Sequence, residues 1–134
     1  MSKPLLAFVS LAAVLLPALA LGQADLSKYK GKSRVLLVFA PSKTDPHWKV
    51  QNALLTGSAA AFRERDLVRL DILEPGKAAL RARYGIKRGQ FRVLLIGKDG
   101  HVASGGPNPI SLNVLTAQID RMPMRREEVK QKEM

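Results

Sequence analysis

The pattern of apolar and polar residues along the chain predicts four β-strands. Two continuous apolar runs, "RVLLVFA" at residues 34–40 and "FRVLLIG" at residues 91–97, are typical of strands that are buried on both faces of a sheet. Residues 66–73 alternate between apolar and polar positions, which favours a further strand. Asp99 and Gly100 favour a hairpin turn, which leads into a short fourth strand, "HVAS", at residues 101–104.

A long helix is predicted after the first strand. Asp45 and Pro46 are well suited to begin it, because Asp accepts hydrogen bonds from exposed amides and Pro lacks a donor that the first helical position does not need. We predict that this helix extends to about Arg65. Its apolar side chains form one stripe that we assign to the core: Trp48, Leu55 and Phe62, seven residues apart, with Val50, Leu54 and Ala61 close by.

Two further helices are predicted nearer the C-terminus. The first covers residues 77–84 and ends at Gly85, a residue that suits a left-handed C-cap. The second begins after a capping Ser111 and is stopped by Pro123. Its apolar residues have helical spacing: Leu112, Leu115, Ile119 and Met122. Residues 124–134 form a charged tail that we expect to be helical or frayed.

The order of these elements, β-α-β-α-β-β-α, predicts an α/β fold. A βαβ unit requires a right-handed crossover between parallel strands, whereas the turn at Asp99 and Gly100 joins antiparallel strands. We therefore expect a mixed four-stranded sheet flanked by helices. This order is the minimal core of the thioredoxin-like fold.

The first 24 residues predict export. Lys3 precedes an apolar run over about residues 5–16, and small residues then place signal-peptide cleavage after Ala20 or Ala24. The alternative is an uncleaved anchor, but the run is shorter than the roughly 20 apolar residues that span a bilayer, and no later segment is apolar enough. A chain of this length is one domain. We expect a signal peptide at residues 1–24 and one periplasmic or secreted domain at residues 25–134.

The chain contains no Cys, which removes several classes of chemistry. Thiol oxidoreductases, thiol peroxidases and Cys proteases all need a reactive thiol, so they are excluded. The two histidines, His47 and His101, do not have the spacing of a metal site, and we expect them at opposite ends of the sheet. We predict neither a metal nor another cofactor.

The chain is strongly basic, with a formal net charge of +11. Its basic residues cluster over residues 28–34 and again over residues 77–92, and the second cluster contains no acidic residue. The candidate basic surface is Arg81, Arg83, Lys87 and Arg88. Such clusters bind phosphates in nucleic acids, but export makes a nucleic acid an unexpected partner. Anionic components of the cell envelope or acidic proteins fit better, and a merely solvated surface is the alternative.

Four stretches of the chain carry a family resemblance: "RVLLVFAP", "FRERDLVRLDIL", "FRVLLIGKDG" and "IDRMPMRREE". In this order they resemble a domain of unknown function, number 4174, found in short secreted bacterial proteins and in animal sushi-repeat and coiled-coil-domain extracellular matrix proteins. The resemblance spans about residues 26–128. It implies a thioredoxin-like or peroxiredoxin-like fold, an extracellular or periplasmic setting and no established activity.

The resemblance also implies where a redox site would lie. In thioredoxins the reactive Cys pair lies at the start of the first long helix, which corresponds here to the loop at residues 41–46, and a cis-proline precedes the third strand. This chain has Ser, Lys, Thr and Asp in the loop and "RGQFRV", without Pro, before that strand. Both parts of a redox site are absent, so the fold alone transfers no activity.

The same loop is a candidate binding site. A helix N-terminus favours an anion, and Ser42, Lys43, Thr44 and His47 surround it. The alternative is that Asp45 caps the helix and fills the site with its own carboxylate. Ser42 lacks the small neighbours of a hydrolase nucleophile.

The segment "MPMRR" is a second candidate site. Met124 offers a flexible apolar contact, and the guanidinium groups of Arg125 and Arg126 suit carboxylate or phosphate groups. In the simpler interpretation Met124 covers the edge of the core and the arginines meet carbonyl groups at the helix end.

The prediction for function is an exported, redox-inactive binding module whose partner is an unidentified protein or an anionic component of the envelope. One alternative is a non-thiol enzyme, an oxidoreductase or a hydrolase, that uses the loop after the first strand. A third hypothesis is an architectural protein that forms a contact through Met124, Arg125 and Arg126.

Overall fold

The computed structural model of the protein describes residues 26–134, so the predicted signal peptide at residues 1–24 lies outside the described residues. The strands are β1 (Arg34–Ala40), β2 (Leu67–Leu73), β3 (Arg92–Ile96) and β4 (Val102–Gly106). The helices are α1 (Pro46–Leu54), α2 (Ala59–Glu64), α3 (Ala78–Arg83), α4 (Leu112–Asp120) and α5 (Pro123–Glu133).

The four strands form one mixed sheet in the order β2-β1-β3-β4. Strand β1 pairs in parallel with β2, and it pairs antiparallel with β3, which in turn pairs antiparallel with β4. The mixed sheet predicted from the sequence is therefore confirmed. Because β1 and β2 run together and β3 runs against them, Arg34 lies at the same end of the sheet as the turn between β3 and β4.

Both faces of the sheet are covered, which explains the unbroken apolar runs of β1 and β3. On one face Leu36 and Val38 of β1 pack with Leu115 and Ile119 of α4, all four of them buried. On the other face alternate residues of β1 and β3 pack with side chains from the N-terminal segment and from α3: Leu26, Tyr29 and Leu80. The sheet thus separates two different surfaces of the protein.

The single long helix predicted for residues 46–65 is wrong, because two helices occupy this stretch. The first helix ends at Leu54, and Gly57, with a φ of +75° in the left-handed region, redirects the chain into the second. The predicted core stripe is correct for Leu55, which is buried, and for Trp48 and Phe62, which pack against the core. Val50 and Leu54, in contrast, are exposed.

The last core helix was predicted to end at Pro123, and the structure shows that a further helix begins at this residue. Proline is tolerated at the first position of a helix, and Pro123 occupies that position in α5. The charged tail is accordingly helical up to Glu133. The predicted cap of the preceding helix is confirmed, since the Ser111 side chain accepts a hydrogen bond from the Val114 amide.

Candidate functional site

The loop after β1 is closed by its own side chains. The Asp45 carboxylate accepts a hydrogen bond from the Trp48 amide at 3.1 Å, so it caps α1, which is the alternative that the sequence also allowed. The Ser42 and Thr44 hydroxyl groups lie 2.7 Å apart, and the Thr44 amide donates to the Ser42 oxygen. The anion-binding position at the start of this helix is therefore occupied by a residue of the chain itself.

The remaining side chains of this loop contact aromatic rings. His47 stacks on Phe91 with ring centroids 5.4 Å apart, and its Nδ1 lies 3.9 Å from the Asp45 carboxylate. The Lys43 ammonium lies 6.0 Å from the centre of the Trp48 ring. These contacts hold the loop residues against α1. They do not bring a nucleophile and a general base together at one position.

The two histidines lie at opposite ends of the sheet, as the sequence predicted. His47 stacks on Phe91, directly before β3, whereas His101 follows the turn after β3. Within residues 26–134 no group of three or more His, Asp or Glu side chains is arranged to hold a metal ion. The same part of the chain contains no helix that is both long and apolar enough to cross a membrane.

The most extensive polar arrangement lies at the other end of the sheet, where four cations and four carboxylates form a charge network. Its members are Arg34, Glu64, Arg65, Asp66, Lys98, Asp120, Arg125 and Glu128. The network joins the start of β1, the end of α2, the end of β3 and the last two helices. It therefore fastens α5 to the sheet.

Arg34 is the most deeply buried charge in this network, with 1% of its side chain exposed. Its two terminal nitrogens donate to the two carboxylate oxygens of Glu128 at 3.3 and 3.1 Å, and one of them also donates to the Arg65 carbonyl. Its Nε has no hydrogen-bond partner among the described residues. The burial of this cation therefore depends on Glu128.

Glu128 also accepts a hydrogen bond from Lys98, whose ammonium reaches Asp66 as well, both at 2.8 Å. Burial acts to raise the pKa of Glu128, but the hydrogen bonds and charges of Arg34 and Lys98 outweigh it and lower that pKa. Burial likewise acts to lower the pKa of Lys98, and its two carboxylate partners raise it overall. Each group thus stabilises the charged form of its neighbours.

Arg125 belongs to the charge network and not to an exposed binding surface, which corrects its assignment as a candidate interaction residue. Only 3% of its side chain is exposed, and it donates hydrogen bonds to Asp120 and to both the carboxylate and the carbonyl of Glu64. Hydrogen bonds from Arg65 and then Arg125 lower the pKa of Asp120 against the effect of burial. Met124 and Arg126, on either side, are exposed.

This network was not predicted from the sequence, although its residues lie in the motifs that carry the family resemblance. Each of the four stretches that carry the family resemblance contributes charged residues to it. These are Arg34 in the first, Glu64, Arg65 and Asp66 in the second, Lys98 in the third, and Asp120, Arg125 and Glu128 in the fourth. The motifs therefore describe how the last helix is attached.

The predicted basic clusters lie on one side of the sheet, which we call the basic face, and Lys30 and Arg83 bring them together at one cleft. Leu26 and Tyr29 anchor the N-terminal cluster to this side, and Leu80 and Ile86 anchor the cluster around α3. The exposed cations that the two segments bring to this face are Lys28, Lys30, Lys32, Arg83, Lys87 and Arg88. Sequence reasoning found both clusters but not that the fold combines them.

Arg81, the other residue of the candidate basic surface, is used to hold a turn. Its guanidinium donates to the carbonyl groups of Pro75 at 2.7 Å and Gly76 at 3.0 Å. This turn follows β2 and contains the cis peptide bond between Glu74 and Pro75. Arg83, in contrast, places its guanidinium 5.3 Å from the centre of the Tyr84 ring and remains exposed.

A cleft of about 690 Å³ lies on the basic face, between the N-terminal segment, α3 and the turn after β3. Its apolar side chains include Leu26, Val35, Ala79 and Ile96, and its polar ones include Lys30 and Arg83. Asp99 also lines the cleft, and its carboxylate accepts a hydrogen bond from the backbone amide of His101. That bond is the main reason why the pKa of Asp99 is lowered.

Comparisons with known proteins agree with this architecture. A family model described as "Domain of unknown function (DUF4174)" matches residues 25–128. The fold is similar to that of a reduced 2-Cys peroxiredoxin from Plasmodium vivax, with a TM-score of 0.62 and 18% identity over 78% of this chain and 84% of that chain.

Two other solved structures are similar to the same degree. Thioredoxin peroxidase I from Plasmodium yoelii gives a TM-score of 0.63 at 17% identity, covering 76% of this chain and 79% of that chain. Peroxidoxin BcpB from Mycobacterium tuberculosis gives 0.60 at 18% identity, covering 72% and 84%. At such identities the likeness establishes the thioredoxin-like fold and nothing about activity.

Proposed function

Because the chain belongs to the family of the domain of unknown function DUF4174, we propose that it is an exported, redox-inactive thioredoxin-like module that binds an anionic partner through its basic face. The chain has no Cys, so it cannot perform the thiol chemistry for which proteins such as the 2-Cys peroxiredoxin are named. A strongly charged surface on this fold supports a binding role.

The observation that carries the proposal is that two basic segments, about fifty residues apart in the sequence, pack on the same face of the sheet and contribute Lys30 and Arg83 to one cleft. Lys28, Lys30 and Lys32 come from one segment, and Lys87 and Arg88 follow the helix of the other. Glu74, a nearby carboxylate, is already held by the Gly89 amide at 2.7 Å. A positive potential on one side of a protein raises the local concentration of polyanions and speeds their association.

The proposal predicts salt-dependent binding that is lost when the basic face is neutralised. The test variant changes four exposed basic residues to Gln: Lys28, Lys32, Lys87 and Arg88. Its affinity for polyglutamate and for phosphatidylglycerol vesicles at low salt should fall at least tenfold, since each basic side chain near an anionic surface contributes about 1 kcal/mol. Isothermal titration calorimetry over a range of salt concentrations measures both effects.

A matched control removes the same number of charges elsewhere. It changes four exposed basic residues of α1, α2 and α5 to Gln: Lys49, Arg63, Arg126 and Lys130. This variant should retain most of the affinity, because screening at moderate ionic strength limits the effect of charges that are not near the contact. Equal losses in both variants would mean that net charge alone matters, and no binding by the unaltered chain would refute the proposal.

Export, which is part of the proposal, predicts a defined N-terminus. The leader has a basic start, an apolar run and small residues before two cleavage points. When the full chain is expressed in a bacterium, the protein recovered from the periplasm or the medium should begin at Leu21 or Asp25. N-terminal sequencing checks this, and a full-length chain retained in the cytoplasm would contradict it.

A further inference from the structure

We propose that the cleft on the basic face binds a single-chain anionic amphiphile, a molecule with one alkyl chain and an acidic head group. This inference deepens the proposed function, because it assigns a ligand class to part of the same face. The cleft, about 690 Å³, falls within the size range of small-molecule sites, which are mostly apolar with a few placed polar groups.

The floor of the cleft suits an alkyl chain. Leu26, Val35 and Ile96 are buried aliphatic residues of the second core cluster, and they line the cleft together with Ala79 of α3. An alkyl chain that enters the cleft leaves water for these aliphatic surroundings, which favours its binding. Tyr29 adds one aromatic wall.

The rim of the cleft suits an acidic head group. Lys30 and Arg83 come from the two segments that border the cleft, so their charges flank it from both sides. Within residues 26–134 neither side chain forms an ion pair with a carboxylate. Arg83 has the planar donors that bind a carboxylate or phosphate with two hydrogen bonds.

The one carboxylate at the rim forms no ion pair with these two cations. Asp99 accepts the His101 backbone N–H at 3.0 Å, and its other oxygen lies 3.5 Å from the His101 ring nitrogen Nδ1. The carboxylate is therefore engaged within its own turn. An acidic ligand would restore the balance of charge between the two bordering segments, and a cationic ligand would not.

The experiment is a titration of the isotope-labelled mature chain, beginning at Asp25, with laurate below its micellar concentration. Saturable shifts in the NMR spectrum are expected at the amides of Gly97 and Gly100, which line the cleft. Dodecyl phosphate should bind as well if any acidic head suffices. Butanoate should bind at least a hundredfold more weakly, because each buried methylene is worth about fourfold in affinity.

Two alanines of α3 provide a matched pair of variants. Ala79 lines the cleft and Ala82 does not, and both are exposed. Ala79→Phe should fill the cleft and weaken laurate binding at least tenfold, whereas Ala82→Phe should leave it unchanged. Arg83→Gln supplies a second test at the head group and should weaken binding several-fold without filling any space.

The outcomes separate this inference from the proposed function. Ala79→Phe should keep its affinity for polyglutamate, and the variant with four neutralised residues outside the cleft should keep its affinity for laurate. The inference is overturned if laurate causes no saturable shift at Gly97 and Gly100, if Ala79→Phe binds laurate normally, or if dodecyltrimethylammonium binds as well as laurate does. None of these results affects polyglutamate binding, on which the proposed function depends.

Discussion

Replacing Glu128 with Gln is expected to lower the free energy of unfolding by about 3 kcal/mol, because it leaves a buried cation without its counter-charge. Arg34 is 1% exposed, and Glu128 accepts hydrogen bonds from both of its terminal nitrogens. Gln has nearly the same volume as Glu, so the loss of unfolding free energy measures the effect of charge and hydrogen bonding and not that of packing. Urea denaturation of the unaltered and altered proteins at neutral pH measures the difference.

The same substitution should also make stability less sensitive to acid. The folded-state pKa of Glu128 lies below its usual value of 4.5, so the unfolded chain binds the proton more readily than the folded one. The stabilising contribution is therefore fully present above pH 4.5, and it is lost as the pH falls through the lowered value. In the Glu128→Gln protein this part of the acid-induced loss should disappear.

Glu127→Gln is the control for both measurements, since Glu127 is the exposed neighbour of Glu128 on the same helix. A surface change of this kind is expected to alter stability by no more than about 0.5 kcal/mol. If the two variants proved equally stable, or if both retained the full acid sensitivity, the charge network would not be what holds α5 to the sheet.

Replacing Arg125 with Met is expected to cost about 2 kcal/mol, less than the removal of a partner from a fully buried ion pair. The Arg125 side chain is 3% exposed, but its partners Glu64 and Asp120 are 57% and 45% exposed and regain water when it is removed. Met preserves most of the buried volume. Thermal and urea denaturation should both show the loss.

Arg126→Met is the matched control for this second prediction, because Arg126 is adjacent and exposed. Its stability should stay within about 0.5 kcal/mol of the unaltered protein. The hypothesis that Arg125 forms a protein contact predicts the reverse pattern, a lost partner with unchanged stability. Truncation after Met122 does not separate these cases, because it removes Arg125 and Glu128 together and leaves Arg34 without its counter-charge.

Local patterns were sufficient for most of the fold. The strand at Arg34–Ala40 is predicted to the residue. The caps at Asp45 and Ser111 are predicted because such side chains accept hydrogen bonds from amides three residues further along the chain. The prediction of one long helix was wrong, because a Gly inside a helical pattern does not show whether the helix continues or the chain turns. Packing on the sheet decides that at Gly57.

The candidate sites were harder to predict than the fold. At residues 41–47 the sequence correctly predicts that a strand leads into a helix and that Asp45 competes with an anion for the start of that helix. Both features depend on residues that are close together in the chain. Arg125 was misassigned because its partner Glu64 lies 61 positions away, and no periodicity in the sequence links them. Gln51 was overlooked for the same reason, although it is fully buried and exchanges two hydrogen bonds with Ile110 of the loop before α4.

The sequence by itself determined the α/β class with its four strands, the basic character of the chain and the absence of thiol chemistry, because each depends on composition or on residues a few positions apart. Only the tertiary structure decided which charges are buried and which are available. Arg34 and Glu128, 94 positions apart, meet at one end of the sheet, while two separate basic segments meet on one face of it. The physical reason is that burial and charge pairing depend on distances in space, which chain folding sets and sequence spacing does not.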